Sequence, residues 1–489
     1  MTTTAPSGHR PTSTPPQVIG GRAAAIAVLV VLVADFMDLL DATIVSVAAP
    51  DVMRDLGASE SALQWTVAGY TLAMGAALIT GGRVGDQFGR RRVFLLGLAG
   101  FATASILCAL AATPAVLIAT RVLQGLAAGL MVPQVFGIIR SSLAPGARAK
   151  AFGAYGAVLS LASVAGPLLG GLLVDADLFG LGWRAVFWIN VPVAAVGLAL
   201  GAKYLPDSRS DARMRLDLPG ALAGAAATAL VLLPLIQGRE WNWPWWSFAM
   251  IGAGAALGAA VLVWERRVAA RGDRPVFDPA LLRVRAFSGG LAASALFFGS
   301  IGAFFFLFAM YLQFGTGRTA LETGLVILPY AIGALITSGI GVQFAARIGR
   351  ALLIGGSLVL AASQLLLLVL VREDADPGYW LLALPLFVGG LGLGLTAPSL
   401  INVILAGVPG EDAGSAGAVL TTVTQVGGAA GVAVLGAVFF GALEGGAAGP
   451  LDGYGRALVT ILPWQAACYV LAAALMLLLP KRADAQADH

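Results

Sequence analysis

The stretch GRVGDQFGRRR (82–92) joins two long apolar runs, and a related stretch, VQFAARIGR (342–350), joins two others 260 residues later. Each carries a glycine and an arginine at matching positions. Two further landmarks recur in the same order: GLAAGLMVPQ (125–134) and GLGLGLTAPS (390–399) are offset by 265 residues, and Gly166 and Gly170 precede Gly427 and Gly431 by 261. Three landmarks at nearly one offset predict two six-helix halves related in parallel, as in secondary transporters that bind substrate between halves.

The composition indicates a polytopic membrane protein. The 489 residues are 58% hydrophobic and 11% charged, with mean hydropathy +0.86, whereas a soluble chain is about 25% charged. The two cysteines lie in separate apolar runs and the two histidines lie near the termini, so disulfides and zinc sites are not expected. No nucleophile–base pair, metal-ligand cluster or phosphate loop is evident, and we therefore expect neither an enzyme nor a cofactor.

A spanning helix needs about 20 apolar residues, and the apolar runs predict fourteen spans in an all-α protein. Six lie near 22–48, 61–82, 93–112, 115–139, 149–174 and 185–205, and six near 287–313, 320–346, 351–371, 379–405, 414–441 and 457–479, with an extra pair near 218–237 and 247–264. The predicted domains are a disordered cytoplasmic tail (1–21), an N-terminal six-helix bundle (22–205), a linker with the two extra spans (206–286), a C-terminal bundle (287–480) and a cytoplasmic tail (481–489).

The distribution of basic residues predicts the orientation. If the N-terminus is cytoplasmic, inner segments hold 23 of the 30 Lys and Arg residues, outer segments hold six, and Arg121 remains within a span. Both termini are therefore expected in the cytoplasm of a bacterial cell, with the chain in the plasma membrane.

Three carboxylates, Asp35, Asp38 and Asp41, interrupt the first apolar run. Steps of three residues place them within about 120° of one helix face, over a rise of about 9 Å. Each ionised carboxylate facing lipid would cost about 2.5–3.5 kcal/mol, so we expect them to face a cavity and to carry protons in part. The alternative is that they only pair with other helices.

Arg121, in the fourth span, is expected at the depth of Asp41, because both lie about 10 Å from the outer face. A guanidinium keeps its proton and must be paired or hydrated. Pairing with Asp41 would give helix packing two states, one for each protonation state of the carboxyl. A purely structural ion pair is the alternative. Gln124, one turn deeper, is expected near the depth of Asp38.

These motifs resemble the fourteen-helix drug:proton antiporter branch (EmrB/QacA type) of the major facilitator superfamily, over about residues 22–480. LDATIVSVAAP (40–50), LIATRVLQG (117–125), GPLLGG (166–171) and WRAVFWINVP (183–192) are similar to its helix motifs, and GRVGDQFGRRR to its loop motif. The second half departs from the pattern: Ala346 stands at the acidic position of the loop motif, and Leu386 stands opposite Arg121. Charge chemistry is therefore expected in the N-terminal half.

The resemblance implies roles for individual residues, each with a simpler alternative. The loop GRVGDQFGRRR would form a cytoplasmic gate; the alternative is that its arginines only orient the chain in the membrane. The GPLLGG motif would set the direction of transport; the alternative is that it only allows close helix packing. Aromatic residues of the ninth span would touch flat substrates, or would contact lipid and core. The candidates are Gly82, Asp86, Gly89, Arg90 and Arg91 for the gate, Gly166, Pro167, Gly170 and Gly171 for the antiporter motif, and Gln124, Gln134, Phe305 and Tyr311 for substrate contacts.

The sequence thus predicts a monomeric, proton-coupled antiporter that exports hydrophobic, aromatic or cationic small molecules. The coupling ion would be the proton, carried by Asp41, Asp38 and Asp35 with Arg121. The partners would be the substrate and the lipid bilayer, with no nucleic acid. An exporter dedicated to one metabolite made by the host is the alternative transport function, and a membrane sensor without transport is the alternative outside transport.

Overall fold

The computed structural model describes residues 21–143, 151, 158, 162, 165–206, 218–238, 240–270, 279–406, 413–443 and 449–480. In this part of the chain all regular secondary structure is helical. The predicted terminal tails and part of the predicted linker lie outside the described residues. The helices are α1 Gly21–Leu56, α2 Glu60–Phe88, α3 Arg90–Ala109, α4 Pro114–Ser142, α5 Ala165–Asp175, α6 Gly182–Tyr204, α7 Leu218–Gln237, α8 Trp245–Ala270, α9 Arg285–Met310, α10 Ala320–Ile348, α11 Arg350–Glu373, α12 Tyr379–Ala406, α13 Ala413–Leu443 and α14 Pro450–Met476.

Eleven of these helices are long and apolar enough to cross a membrane. Thirteen of the fourteen predicted spans coincide with a helix, and the fifth is helical over its described part, Ala165–Asp175; α2, α5 and α7 are not among the eleven. The fully described stretches of α5 and α7, Ala165–Asp175 and Leu222–Gln237, are short, and polar residues such as Gln64 and Thr66 dilute the apolar character of α2. The structure therefore shows a multi-pass helical membrane protein, and the count of fourteen stays a prediction.

The two halves repeat one packing scheme. In the N-terminal half, α4 packs on α2 and α3, and α6 packs on α1 and α3. In the C-terminal half, α12 packs on α10 and α11, and α14 packs on α9 and α11. Gly89 and Gly349, the matching glycines of the two loops, both have positive φ, 101° and 59°, which a glycine adopts without strain.

The halves meet along a line of contact between α2 and α13, which we call the seam. Midway along it, the Thr422 hydroxyl donates to the carbonyl of Gly75 at 3.1 Å. We call the side of the molecule where α1 begins the amino-terminal face and the other side the opposite face. Towards the opposite face the Gln313 amide donates to the carbonyl of Val47 at 2.8 Å, which ties α1 to the end of α9.

The inserted pair is asymmetric. Helix α7 packs against both α2 and α13, with Leu232 and Ile236 in an apolar cluster with Ala68, Ala429 and Ala433. It therefore covers the seam from outside. Helix α8 packs mainly on α7, and only 11% of its most apolar window is buried, so most of its surface is left for lipid.

Candidate functional site: a buried ion pair in the N-terminal half

The centre of the candidate site is an ion pair between Asp41 of α1 and Arg121 of α4. Both side chains are buried, with 0% and 1% of their surface exposed. The predicted contact between the two residues is therefore confirmed. A charge pair withdrawn from water in this way needs further hydrogen bonds to satisfy the remaining donors and lone pairs.

Two amides supply those hydrogen bonds. Gln124 and Asn190 donate to the same Asp41 oxygen, Oδ1, at 3.0 and 2.9 Å. The Gln124 carbonyl oxygen in turn accepts from Arg121 at 2.8 Å, and Asn190 also donates to the Ser105 hydroxyl at 2.9 Å. The carboxyl of Asp41 on α1 is thus held by side chains of α4 and α6.

Arg121 is also held from the side of α2. Its Nε donates to the carbonyl of Thr66 at 3.1 Å, and its guanidinium carbon lies 4.1 Å from the centre of the Tyr70 ring. Such a cation over an aromatic face gains about 2 kcal/mol or more when desolvated. The guanidinium is therefore enclosed by α2 and α4 as well as by the carboxylate.

Asp38 lies one turn from Asp41 and accepts a hydrogen bond from the Tyr70 hydroxyl. Tyr70 therefore contacts both the second carboxylate and Arg121. Asp38 and Asp35 are 3% and 1% exposed. Helices α2, α4 and α6 enclose Asp38 and Asp41 in this conformation, and the cavity expected beside the three acids stays a prediction.

Gln124 departs from the depth predicted for it. It was expected level with Asp38, but its amide contacts Asp41. The reason is that Gln124 follows Arg121 by three residues on the same face of α4, so its side chain reaches back to the same carboxylate. It forms part of the ion-pair shell in this conformation.

The loop between α2 and α3 anchors neighbouring helices at the amino-terminal face. Arg90 donates to the carbonyl of Gly137 on α4 at 2.9 Å, and Arg91 donates to the carbonyl of Ala202 near the end of α6. A cation at the last carbonyls of a helix is favourable. Gly82 lies near the end of α2, facing Pro133 of α4. The side chain of Asp86 is outside the described residues.

The GPLLGG motif lies on α5 and packs against both halves. A Cβ at Gly166 or Gly170 would come within 1.9 or 2.8 Å of side-chain atoms of Thr43 or Ile44 on α1. A Cβ at Gly171 would lie 2.3 Å from the carbonyl oxygen of Ala320 on α10.

The contact between α5 and α10 is reciprocal, because a Cβ at Gly324 would lie 2.6 Å from the carbonyl oxygen of Pro167. The matching glycines of α13, Gly427 and Gly431, approach α9 in the same way, at Ala295 and Gly299. The repeated glycines therefore serve close helix packing in both halves, and those of α5 also close the opposite face.

The other candidate substrate residues lie in the helix packing. Gln134 donates to the carbonyls of Gly81 and Leu130 at 2.8 and 3.0 Å. Tyr311 is buried, and its hydroxyl donates to the carbonyl of Ala375 at 2.8 Å. Phe305 is half-buried and meets the Tyr330 ring edge-on.

Three residues of the site were not predicted: Asn190, Tyr70 and Ser105. Asn190 lies within WRAVFWINVP and is a lone amide in an apolar run, so its need for a buried partner could have placed it beside Asp41. Tyr70 and Ser105 carry no such signal, because single hydroxyls are common in spans and satisfy themselves locally.

Comparison with known proteins identifies the family. The Major Facilitator Superfamily model matches residues 31–220 and 218–432, and the chain belongs to this superfamily. It is 40% identical over 428 residues to a probable actinorhodin transporter of Streptomyces coelicolor, covering 86% of this chain and 74% of that protein.

Two further relatives show the range of names among similar proteins. The puromycin resistance protein pur8 of Streptomyces alboniger is 36% identical over 419 residues, which cover 85% of this chain and 81% of that one. The multidrug resistance protein Stp of Mycobacterium tuberculosis is 33% identical over 405 residues, with 82% and 73% covered.

Solved structures support the fold alone. A bacterial homologue of the human drug peptide transporters PepT1 and PepT2 superposes with a TM-score of 0.65 at 16% identity, covering 93% of this chain and 97% of that one. The D-xylose-proton symporter gives a TM-score of 0.64 at 15% identity, with 92% and 97% covered.

Proposed function

We propose that this protein exports small-molecule antibiotics or drugs across the bacterial plasma membrane by proton antiport. The observation that carries the proposal is the buried Asp41–Arg121 pair, a titratable group locked to a permanent cation inside the transporter's N-terminal half. Relatives named for resistance to or export of antibiotics support the direction and the substrate class. The proton is the only coupling species in this proposal, with no cofactor.

The proposed coupling step is an exchange of partners by Arg121. Protonation of Asp41 removes its charge but leaves the guanidinium buried, and an unpaired buried charge is costly. Asp38 lies one helical turn from Asp41, about 4.5 Å along α1. Tyr70 contacts both Asp38 and Arg121. Arg121 moves towards Asp38 when Asp41 takes up a proton, and α4 shifts against α1.

Helix α1 transmits that shift to the interface between the halves. Its face at Thr43 and Ile44 receives the glycines of α5, and its Val47 carbonyl accepts from Gln313, which follows α9. A change in how α1 packs therefore alters the contacts that close the opposite face. Alternating access follows if the closed opposite face belongs to one protonation state and the open one to the other.

The amino-terminal face is cytoplasmic in this proposal, with fourteen spans, two six-helix bundles and a monomeric protein. The basic loop 82–92 supports that orientation under the positive-inside rule. Asp86 belongs to this loop, and the proposal gives it a contact that exists in one of the two conformations.

Dedicated export of one compound is a second candidate function. It is favoured by relatives whose names each refer to a single antibiotic, including the probable actinorhodin transporter and the tetracenomycin C resistance and export protein. A panel of structurally unrelated drugs and dyes separates the two candidates, since a dedicated exporter raises resistance to one chemical class alone.

Energy dependence tests the proposal directly. Efflux of a fluorescent substrate from cells expressing the protein should collapse when a protonophore is added while ATP is maintained. Efflux that continues without the proton gradient and stops on ATP depletion would refute proton coupling.

A further inference from the structure

A small cavity opens where the seam reaches the opposite face. Its volume is about 110 Å³. Its walls come from α2, from α7 with the turn that follows it, and from α13, so both halves and the inserted pair contribute. The lining residues are Glu60, Ser61, Gln64, Ile236, Glu240, Ala437 and Phe440.

Three side chains of the lining present acceptor oxygens to the cavity. Glu60 and Glu240 supply two carboxylates. Gln64 is 3% exposed, and its Oε1 receives no hydrogen bond from any described residue. The Ser61 hydroxyl is already used, because it donates to the carbonyl of Ile236 at 3.1 Å. Among the residues that the structure describes, the lining contains no basic side chain.

A buried amide oxygen without a donor costs about 1–3 kcal/mol relative to a satisfied one, so its retention beside two carboxylates indicates a ligand that donates. Ile236 and Phe440 give the cavity an apolar wall, which suits a carbon skeleton. A hydrated divalent metal prefers a shell of oxygens, and the described residues contain no group of three or more His, Cys, Asp or Glu that could hold a metal ion.

We propose that this cavity binds a protonated amine of a small organic molecule. The ammonium donates to Gln64 Oε1 and lies between the carboxylates of Glu60 and Glu240, while its carbon chain or ring contacts Ile236 and Phe440. The site is separate from the Asp41–Arg121 pair, which is enclosed by α1, α2, α4 and α6. This binding proposal does not depend on drug export, because the cavity opens at the opposite face and an amine can enter it from there without being transported.

Occupancy has a structural consequence. Gln64 belongs to the N-terminal half and Phe440 to the C-terminal half, and a side chain at Gly436 would lie 2.6 Å from the Gln64 amide. An amine bound here contacts both halves and stabilises the arrangement in which the seam is closed at this end.

The test uses the purified full-length protein in lipid nanodiscs at neutral pH, with benzylamine as the probe and benzyl alcohol as its uncharged counterpart. Binding is measured by calorimetry and by tryptophan fluorescence, since Trp241 follows Glu240 in the chain. Benzylamine should bind, and Glu60→Gln, Glu240→Gln and Gln64→Met should each raise its dissociation constant about tenfold, as expected for loss of one charge-assisted contact.

Glu373→Gln is the matched control, because Glu373 is an exposed acid at the end of α11 on the same face, outside the cavity; it should bind benzylamine like the parent. Glu240 lies in an exposed turn, so its variant tests the site even if Glu60→Gln folds poorly. Equal binding of benzyl alcohol, benzylamine binding that all three variants retain, or loss on Asp38→Asn alone would overturn the proposal. The proposal would also be overturned if calcium ions bind in a way that depends on Glu60 and Glu240 and benzylamine does not bind.

Discussion

Removing the charge of Asp41 alone should lower the stability of the protein more than removing both charges of the Asp41–Arg121 pair. In Asp41→Asn, the guanidinium of Arg121 stays buried without its counter-ion. The new amide cannot accept from Arg121, Gln124 and Asn190 together, because one of its two ends is a donor. Breaking a buried pair in this way costs about 3–5 kcal/mol.

The double variant Asp41→Asn/Arg121→Gln removes the unpaired charge. What remains is a set of neutral amides, with Gln124 and Asn190 able to bond to either new side chain. We expect most of the lost stability to return, leaving a deficit of about 1–2 kcal/mol for hydrogen bonds with poorer geometry. Proton-driven transport should not return, because Asn at position 41 cannot titrate.

The assay has two readouts from the same purified protein: resistance to thermal aggregation in detergent, and substrate-induced proton movement in reconstituted vesicles. The control is Asp55→Asn, which breaks the exposed pair between Asp55 and Arg184, 47% and 29% exposed. Exposed pairs contribute about 0–1 kcal/mol, so this variant should aggregate near the temperature of the parent.

Two results would refute the reasoning. If Asp41→Asn is as stable as the parent, Arg121 is not held by that carboxylate in the membrane. If the double variant regains proton-driven transport, the pair is a structural contact between α1 and α4, and the proton is carried elsewhere.

Three further outcomes follow from the same structure. Asp38→Asn should slow export of cationic substrates more than of neutral ones, measured by uptake into inverted vesicles, and equal slowing would exclude a counter-ion role. Gly171→Ala places a methyl group against the carbonyl of Ala320, so spin-label distances across the opposite face should lengthen, whereas Gly355→Ala, which meets open space, should leave them unchanged. Asp86→Asn should keep membrane abundance but lower the turnover rate, and parental turnover would reduce the loop to an orientation signal.

The ion pair could be predicted because the depth of a residue in the membrane follows from its distance along its span. Counting residues from the outer end of each span places Asp41 and Arg121 level, and a lone buried guanidinium must find an acid. The same counting failed for Gln124, since it treats a side chain as lying at the height of its own Cα. Side chains on a helix extend over the preceding turn, and Gln124 uses that reach to contact Asp41.

The position of the inserted pair could not be predicted from the sequence. Its apolar runs indicate two spans but do not show which helices these spans contact, because a lipid-facing surface and a helix-facing surface are equally apolar. The structure places Leu232 and Ile236 of α7 against α2 and α13, a contact between segments about 170 and 195 residues apart along the chain. Only the folded arrangement of both halves creates the groove that receives α7.

The two halves differ in charge at the position of the ion pair. The C-terminal half has Leu386, buried at 1% exposure, opposite the position of Arg121, so it offers no equivalent pair to titrate. Helix α1 carries Asp41 towards α4 and α6, and presents Ile44 and Val47 to α5 and α9. A movement of α1 would therefore act on its contacts with α5 and with Gln313 near the opposite face, and the position that corresponds to Arg121 in the C-terminal half is the uncharged Leu386.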